Sequence, residues 1–178
     1  MTTFTHRVIG AARLESRVYE EVEADSRATR QSVALVLLAG LAGGIGLLGF
    51  GGVQGAWSVV AGVIAALVGW MAWAMLTYLI GTRLLPEPQT SADFGQLLRT
   101  LAFASSPGLL RALGVIPFLG LPIYAIASVW MLVAMIVAVR QALDFSSTGR
   151  AVAVCVVGWA LSLALAAVAG IFFTSSVS

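Results

Sequence analysis

The stretch QSVALVLLAGLAGGIGLLGFGGVQGAWSVVAGVIAALVGWMAWAMLTYLIGT, residues 31–82, decides the fold. Arg30 and Arg83 bracket it, and no charged residue lies between them. Charged side chains are costly in hydrocarbon, so such a window marks what a bilayer core accepts. One helical crossing takes roughly 20 residues, which leaves room here for two crossings and a turn. Clustered glycine in Gly49-Phe50-Gly51-Gly52-Val53-Gln54-Gly55 places that turn. The first span is read as 32–48 and the second as 56–80.

Charges outside this window divide the rest of the chain. Arg111 and Arg140 bound a further span, 121–139, and Arg150 opens an uncharged stretch that holds the last, 151–173. Residues 96–114 are helical in character but carry Arg99 and Arg111, with Pro107 between them. The helical rise between the two arginines is about 18 Å, so their guanidinium groups reach opposite interfaces by snorkelling. A re-entrant hairpin is the rival reading. With five spans and the N-terminus inside, Arg7, Arg13, Arg17, Arg27, Arg30, Arg83, Arg99, Arg140 and Arg150 flank the cytoplasmic side, and Arg111 alone falls outside. A hairpin in third place would carry Arg140 and Arg150 outside, against the positive-inside tendency. Five spans is the better reading.

The composition supports the same class. Of 178 residues 60% are hydrophobic and 10% charged, where a soluble domain has about a quarter charged. This excludes a water-soluble enzyme and a disordered chain. A single cysteine, Cys155, excludes a disulfide scaffold. A net charge of +2 is too small for a nucleic-acid footprint. The expected fold is all-α: a polytopic membrane protein with five transmembrane helices (32–178) and an N-terminal cytoplasmic amphipathic helix (1–31). It is expected in the plasma (inner) membrane, with the N-terminus cytoplasmic and the C-terminus outside. The first long apolar run begins only near Val33, so no secretory signal is read and the first span serves as an uncleaved anchor.

In the tail, Leu14, Val18 and Val22 recur at four-residue spacing, as on one face of a helix lying along the inner leaflet. Its arginines are matched by Glu15, Glu20, Glu21, Glu23 and Asp25. The sharper reading is that the run Tyr19-Glu20-Glu21-Val22-Glu23-Ala24-Asp25 presents carboxylates to a partner or a hard cation. The run lacks the spacing of a calcium loop, and no metal is assigned.

Reactive groups are few. The lone histidine, His6, lies in the tail, there is no lysine, and no His/Cys cluster has zinc spacing. No catalytic, cofactor-binding or metal-binding residue is assigned, and no enzyme is expected. An interaction or membrane-organising scaffold is the first reading, with a small oligomeric channel or transporter for ions or small solutes as the alternative. Arg99 and Arg111 are the leading candidates, because an ionisable residue inside a span is a functional hypothesis by default. Arg99 is expected to meet Asp93, Glu87 or the tail carboxylates; Arg111 is expected to meet headgroups, water or helix-end carbonyls. Pro107, flanked by Ser105 and Ser106, marks a helix break. Arg140 is expected beside Asp144, one turn on. The partner classes are the lipid bilayer, a second copy of the chain and another membrane protein; nucleic acid is excluded.

Three sets of residues carry a family pattern: Tyr78-Leu79-Ile80-Gly81-Thr82; Leu97-Leu98-Arg99-Thr100-Leu101-Ala102-Phe103-Ala104-Ser105-Ser106-Pro107; and Trp130 with Val137-Ala138-Val139-Arg140-Gln141-Ala142-Leu143 and Thr148-Gly149-Arg150-Ala151. With the tail Tyr19-Glu20-Glu21-Val22, their order and spacing resemble the bacterial branch of the Ypt-interacting protein (Yip) family. The resemblance implies a five-span bundle with a cytoplasmic N-terminus. Eukaryotic relatives bind small Rab-type GTPases in vesicle traffic, and their Asp-Leu-Tyr-Gly tail motif is not found in this sequence.

Overall fold

The computed structural model describes residues 3–48 and 56–175, with the side chains of 56, 58 and 165–175 outside the description. In chain order the elements are α1 (Phe4–Ala12), α2 (Ser16–Ala24), α3 (Ala28–Leu48), α4 (Ala56–Leu79), a π turn (Ile80–Leu84), α5 (Phe94–Ala104), a 3₁₀ segment (Ser106–Val115), α6 (Gly120–Ala142) and α7 (Thr148–Ser175). The glycine turn expected at 49–55 lies outside the described residues. Ala28–Leu48, Val59–Leu84 and Gly120–Ala142 are each long and apolar enough to cross a membrane, and Thr148–Ala164 is a shorter apolar helix.

Beyond Val36, α3 is sorted by size rather than by polarity, and α6 largely so. Leu38, Leu41, Ile45 and Leu48 are exposed, whereas Ala42, Gly44 and Gly46 are buried; nearer the tail end Leu35 and Val36 are buried too. On α6 the buried set is Gly120, Ala127, Ala134, Ala138, Val139 and Ala142. Lipid solvates a leucine as well as protein does, so large side chains gain nothing by turning inward and small ones let backbones close up. A Cβ on Gly44 would sit 3.2 Å from the Val59 Cα, and one on Gly40 would sit 3.2 Å from the Val63 Cα. The α3–α4 seam therefore runs through Gly40 and Gly44. Ala61 and Ala65, at the same spacing, are exposed.

α5 is the hub. Leu97 and residues 99–104 are all buried, under α1 and α2 on one side and against α3, α4 and α6 on the others. Asp93 caps it with a capping box: its carboxylate accepts from Gly95 N, and its own N–H donates to Gln96 Oε1. The expected helix over 96–114 is interrupted at Ser105, where Pro107 ends the α-helical ladder and the chain continues as 3₁₀. The thinner segment packs between α3 and α6. Its Arg111 and Gly114 lie against Gly46, about 27 Å along α3 from Ala28.

The single amphipathic tail helix expected from the sequence is corrected to a helical hairpin. Leu14 adopts φ 63, and its N–H and that of Glu15 return to Ala11 and Gly10. The chain reverses there because Gly10 leaves room for Val18 of α2: a Cβ would meet its Cγ2 at 2.6 Å. Val18, Tyr19 and Val22 are 3%, 0% and 0% exposed, so the apolar stripe packs within the protein.

Replacing Gly44 with leucine should overpack the seam and cost about 1–3 kcal/mol, read as a lower unfolding temperature in detergent. Ala61→Leu, on the exposed face of α4, should stay within about 0.5 kcal/mol of the parent. Equal losses for the two would argue against close approach at Gly44.

Candidate functional site

Two constellations stand out, one at each end of the third hydrophobic segment. At the first, the α1–α2 hairpin is docked by side chains that close its helix ends. The guanidinium of Arg99, 8% exposed, donates from Nε to the Val22 carbonyl at 2.9 Å and from Nη2 to the Glu23 carbonyl. These are carbonyls of the last turn of α2, which lack helical partners and carry the negative end of its dipole. The end of α1 is closed the same way. The Tyr19 hydroxyl donates to Ala11 O at 2.9 Å, and the Trp130 indole N–H donates to Ala12 O at 2.8 Å. Arg99 thus meets the tail as expected, but through backbone carbonyls rather than carboxylates.

The tail carboxylates diverge. Glu21 and Asp25 each accept from Arg7 at 2.8 Å, and Arg7 Nη1 also donates to Gln31 Oε1. Glu20 accepts from Gln141 Nε2 of α6 at 2.8 Å. Glu23 is half-buried, and burial, with Asp144 and Glu20 nearby, pushes its carboxyl up to about 7 against the pull of Arg99. Among the described residues no set of His, Cys, Asp and Glu side chains has metal-binding geometry.

Arg140 does not meet the Asp144 carboxylate. It reaches the Phe145 and Ser146 carbonyls at 3.4 Å and the Thr148 hydroxyl at 3.2 Å, closing the α6–α7 loop. Glu87 binds that loop as well: it pairs with Arg150 at 3.1 Å and accepts from the N–H and hydroxyl of Ser146. These donors hold its carboxyl below the ordinary glutamate range. The tail, the α4–α5 connection and the α6–α7 loop therefore meet at one end of the bundle.

Arg111 is at the other end. Its Nη2 donates to Ser128 Oγ at 3.0 Å, and its guanidinium lies 5.4 Å from the ring centroid of Tyr124, whose hydroxyl donates to Gly43 O. It lines a cavity of about 390 Å³ between α3, α4, α6 and the third segment. Gly43, Gly62 and Gly69 belong to its wall, and a Cβ on any of them would meet nothing within 4 Å. Arg111 Nε and the indole N–H of Trp73, another lining residue, are buried without a hydrogen-bond partner. Pro107 is buried at the break just before Arg111 but is not part of the lining.

The sequence candidates thus separate. Tyr19, Glu20, Glu21 and Glu23 join Arg99 and Arg140 at the tail end, while Pro107 and Arg111 lie toward the other. Sequence reasoning missed Arg7 as the centre of the tail's ion pairs, and it missed Tyr124. An aromatic four residues before Ser128 was the available signal.

The Glu23 carboxyl supplies a pH test. Its folded pKa of about 7 lies above the ordinary 4.5, so the folded chain keeps a proton that the unfolded chain has released. Its stabilising contribution is complete below pH 4.5 and lost as pH rises through 7. Glu23→Gln should remove this part of the slope. The variant-minus-parent difference in unfolding temperature should grow from pH 4.5 to a plateau above 7; a flat difference would place Glu23 in open solvent.

No curated protein and no solved structure matches this chain. Residues 14–169 match the family model of the Yip1 domain, from the α1–α2 turn into α7. The match covers most of the sequence and agrees with the resemblance carried by the tail, the third segment and the α6–α7 loop. This helical membrane protein belongs to the Yip1 domain family.

Proposed function

We propose that the protein is a non-enzymatic, five-span membrane-organising scaffold of the plasma membrane, of the bacterial branch of its family. The observation that carries the reading is the docked N-terminal hairpin. Val18, Tyr19 and Val22 join Leu97, Leu101 and Phe103 in one core, so the bundle is filled at the tail end. A filled end favours a scaffold over a conduit. The hairpin keeps Arg13, Glu15 and Arg17 exposed, a mixed-charge surface suited to a protein partner.

The five-span arrangement is supported by the course of the third segment. Arg99 meets the end of α2, just before α3 begins, and Arg111 meets Gly46 near the end of α3. That course runs one way along α3, as a crossing does and a re-entrant hairpin does not. Arg99, Arg140 and Arg150 then share an end with the tail, which the positive-inside tendency makes cytoplasmic. The α-to-3₁₀ break at Pro107 is a feature that favours transport instead.

Reporters fused after Leu143 and after Ser178 should fall on opposite sides of the membrane; the same side for both would end the five-span reading. Purified protein in liposomes should pass neither ions nor small solutes. A flux abolished by Arg111→Ala would replace the scaffold with a transporter.

A further inference from the structure

We propose that the cavity beside Arg111 binds one phospholipid, with the lipid phosphate on the guanidinium and an acyl chain in the trough between α3 and α4. The first argument is shape. The lining runs from Val36 to Leu47 on α3, about 16 Å of helical rise, and the volume is about 390 Å³. The length matches half of a hydrocarbon core of roughly 30 Å. The volume falls within the range of about 300–1,000 Å³ usual for ligand pockets.

Chemistry is distributed along that length as in an amphiphile. Arg111, Tyr124 and Leu47 mark one end; Val36, Leu101, Met135 and the ring of Trp73 mark the other, where the Trp73 N–H is an unpartnered polar group. The charged end lies near the end of α3 and the start of α6, where a headgroup would sit. The apolar end points along the helices, as an acyl chain does.

Charge supplies the third argument. The sequence has no acidic residue from 94 to 143, and no carboxylate lies within ion-pair distance of Arg111 among the described residues. Its Nε is buried without an acceptor. Guanidinium groups bind phosphate with charge-assisted hydrogen bonds, and Arg111 brings that charge to the cavity wall with no carboxylate to neutralise it. Entry is open from the side: Gly69 of α4 lines the cavity and is itself exposed, so the mouth faces the surrounding lipid. Gly43, Gly62 and Gly69 keep the trough clear.

The inference deepens the membrane-organising reading and rests on it, yet the two fail separately. Solute flux would overturn that reading and leave lipid retention untouched. For the lipid site, delipidated protein in detergent is titrated with dioleoylphosphatidylglycerol, reading the unfolding temperature and the lipid retained per chain by mass spectrometry. The parent should saturate near one lipid per chain. Gly69→Leu and Gly62→Leu, which fill the trough, and Arg111→Gln, which removes the cation, should each bind at least about tenfold more weakly. If one glycine variant does not fold, the other carries the result. Met71→Leu, exposed on α4 and outside the lining, should bind as the parent does. Inorganic phosphate alone should give no shift. Equal affinity in all variants would mean lipids merely coat the bundle, and a matching shift with inorganic phosphate would mean a free-anion site; either overturns the proposal. Loss of binding in Met71→Leu would overturn it too.

Discussion

Arg99 joins two parts of the chain that a bilayer tends to keep apart. It stands in the first turns of α5, the most enclosed helix, and its guanidinium ends on the last carbonyls of α2. A buried guanidinium needs acceptors, and helix-end carbonyls need donors; each would otherwise be left unsatisfied at a cost of about 1–3 kcal/mol. Joined, they need no carboxylate, so the contact brings no second buried charge. Everything at that end follows from it. With α2 held against α5, Val22 and Tyr19 are buried, α1 is folded back at Leu14, and its final carbonyls fall to Tyr19 and Trp130. The hairpin is thus a fitted part of the bundle.

A second constraint acts along the helices. With no hydrophobic gain from turning leucine inward, association rests on close packing, and small residues decide where helices touch. The same residue type then has two outcomes. Gly40 and Gly44 are pressed against α4, whereas Gly43, one residue from Gly44, faces open space together with Gly62 and Gly69. Gly40 and Gly44 line the cavity as well as touching α4, so contact and cavity share one stretch of α3.

Much of this was legible in the sequence because charge is so strictly excluded from hydrocarbon. The bracketing arginines locate α3, α4, α6 and α7 to within a few residues. The tail was not legible in the same way. Leu14, Val18 and Val22 at four-residue spacing suit a helix on lipid as well as one on α5, and periodicity does not name the surface it meets. Nothing local announces the left-handed Leu14; the reversal depends on Gly10 meeting Val18 across the turn. Arg7 was counted as one more cytoplasmic charge because its partners Glu21, Asp25 and Gln31 are brought to it only by that reversal. Small-residue spacing alone does not name a contact either: Ala61 and Ala65 have the pattern of Gly40 and Gly44 but are exposed.

The two arginines of the third segment show how position sets role. Both sit in one hydrophobic segment, and each uses the planar guanidinium in a way an ammonium does not reproduce. Arg99 divides its donors between two successive carbonyls, a geometry that fixes the direction of α2 as well as its distance. Arg111 lies near the Tyr124 ring and gives one donor to Ser128, which leaves the Nε edge unmatched by protein. The first arginine is bound to backbone on two of its nitrogens and is structural. The second is only partly satisfied, in a cavity that the glycines keep open. That asymmetry leaves the guanidinium of Arg111 open to the cavity at the end remote from the tail, where a molecule from the bilayer itself can meet it.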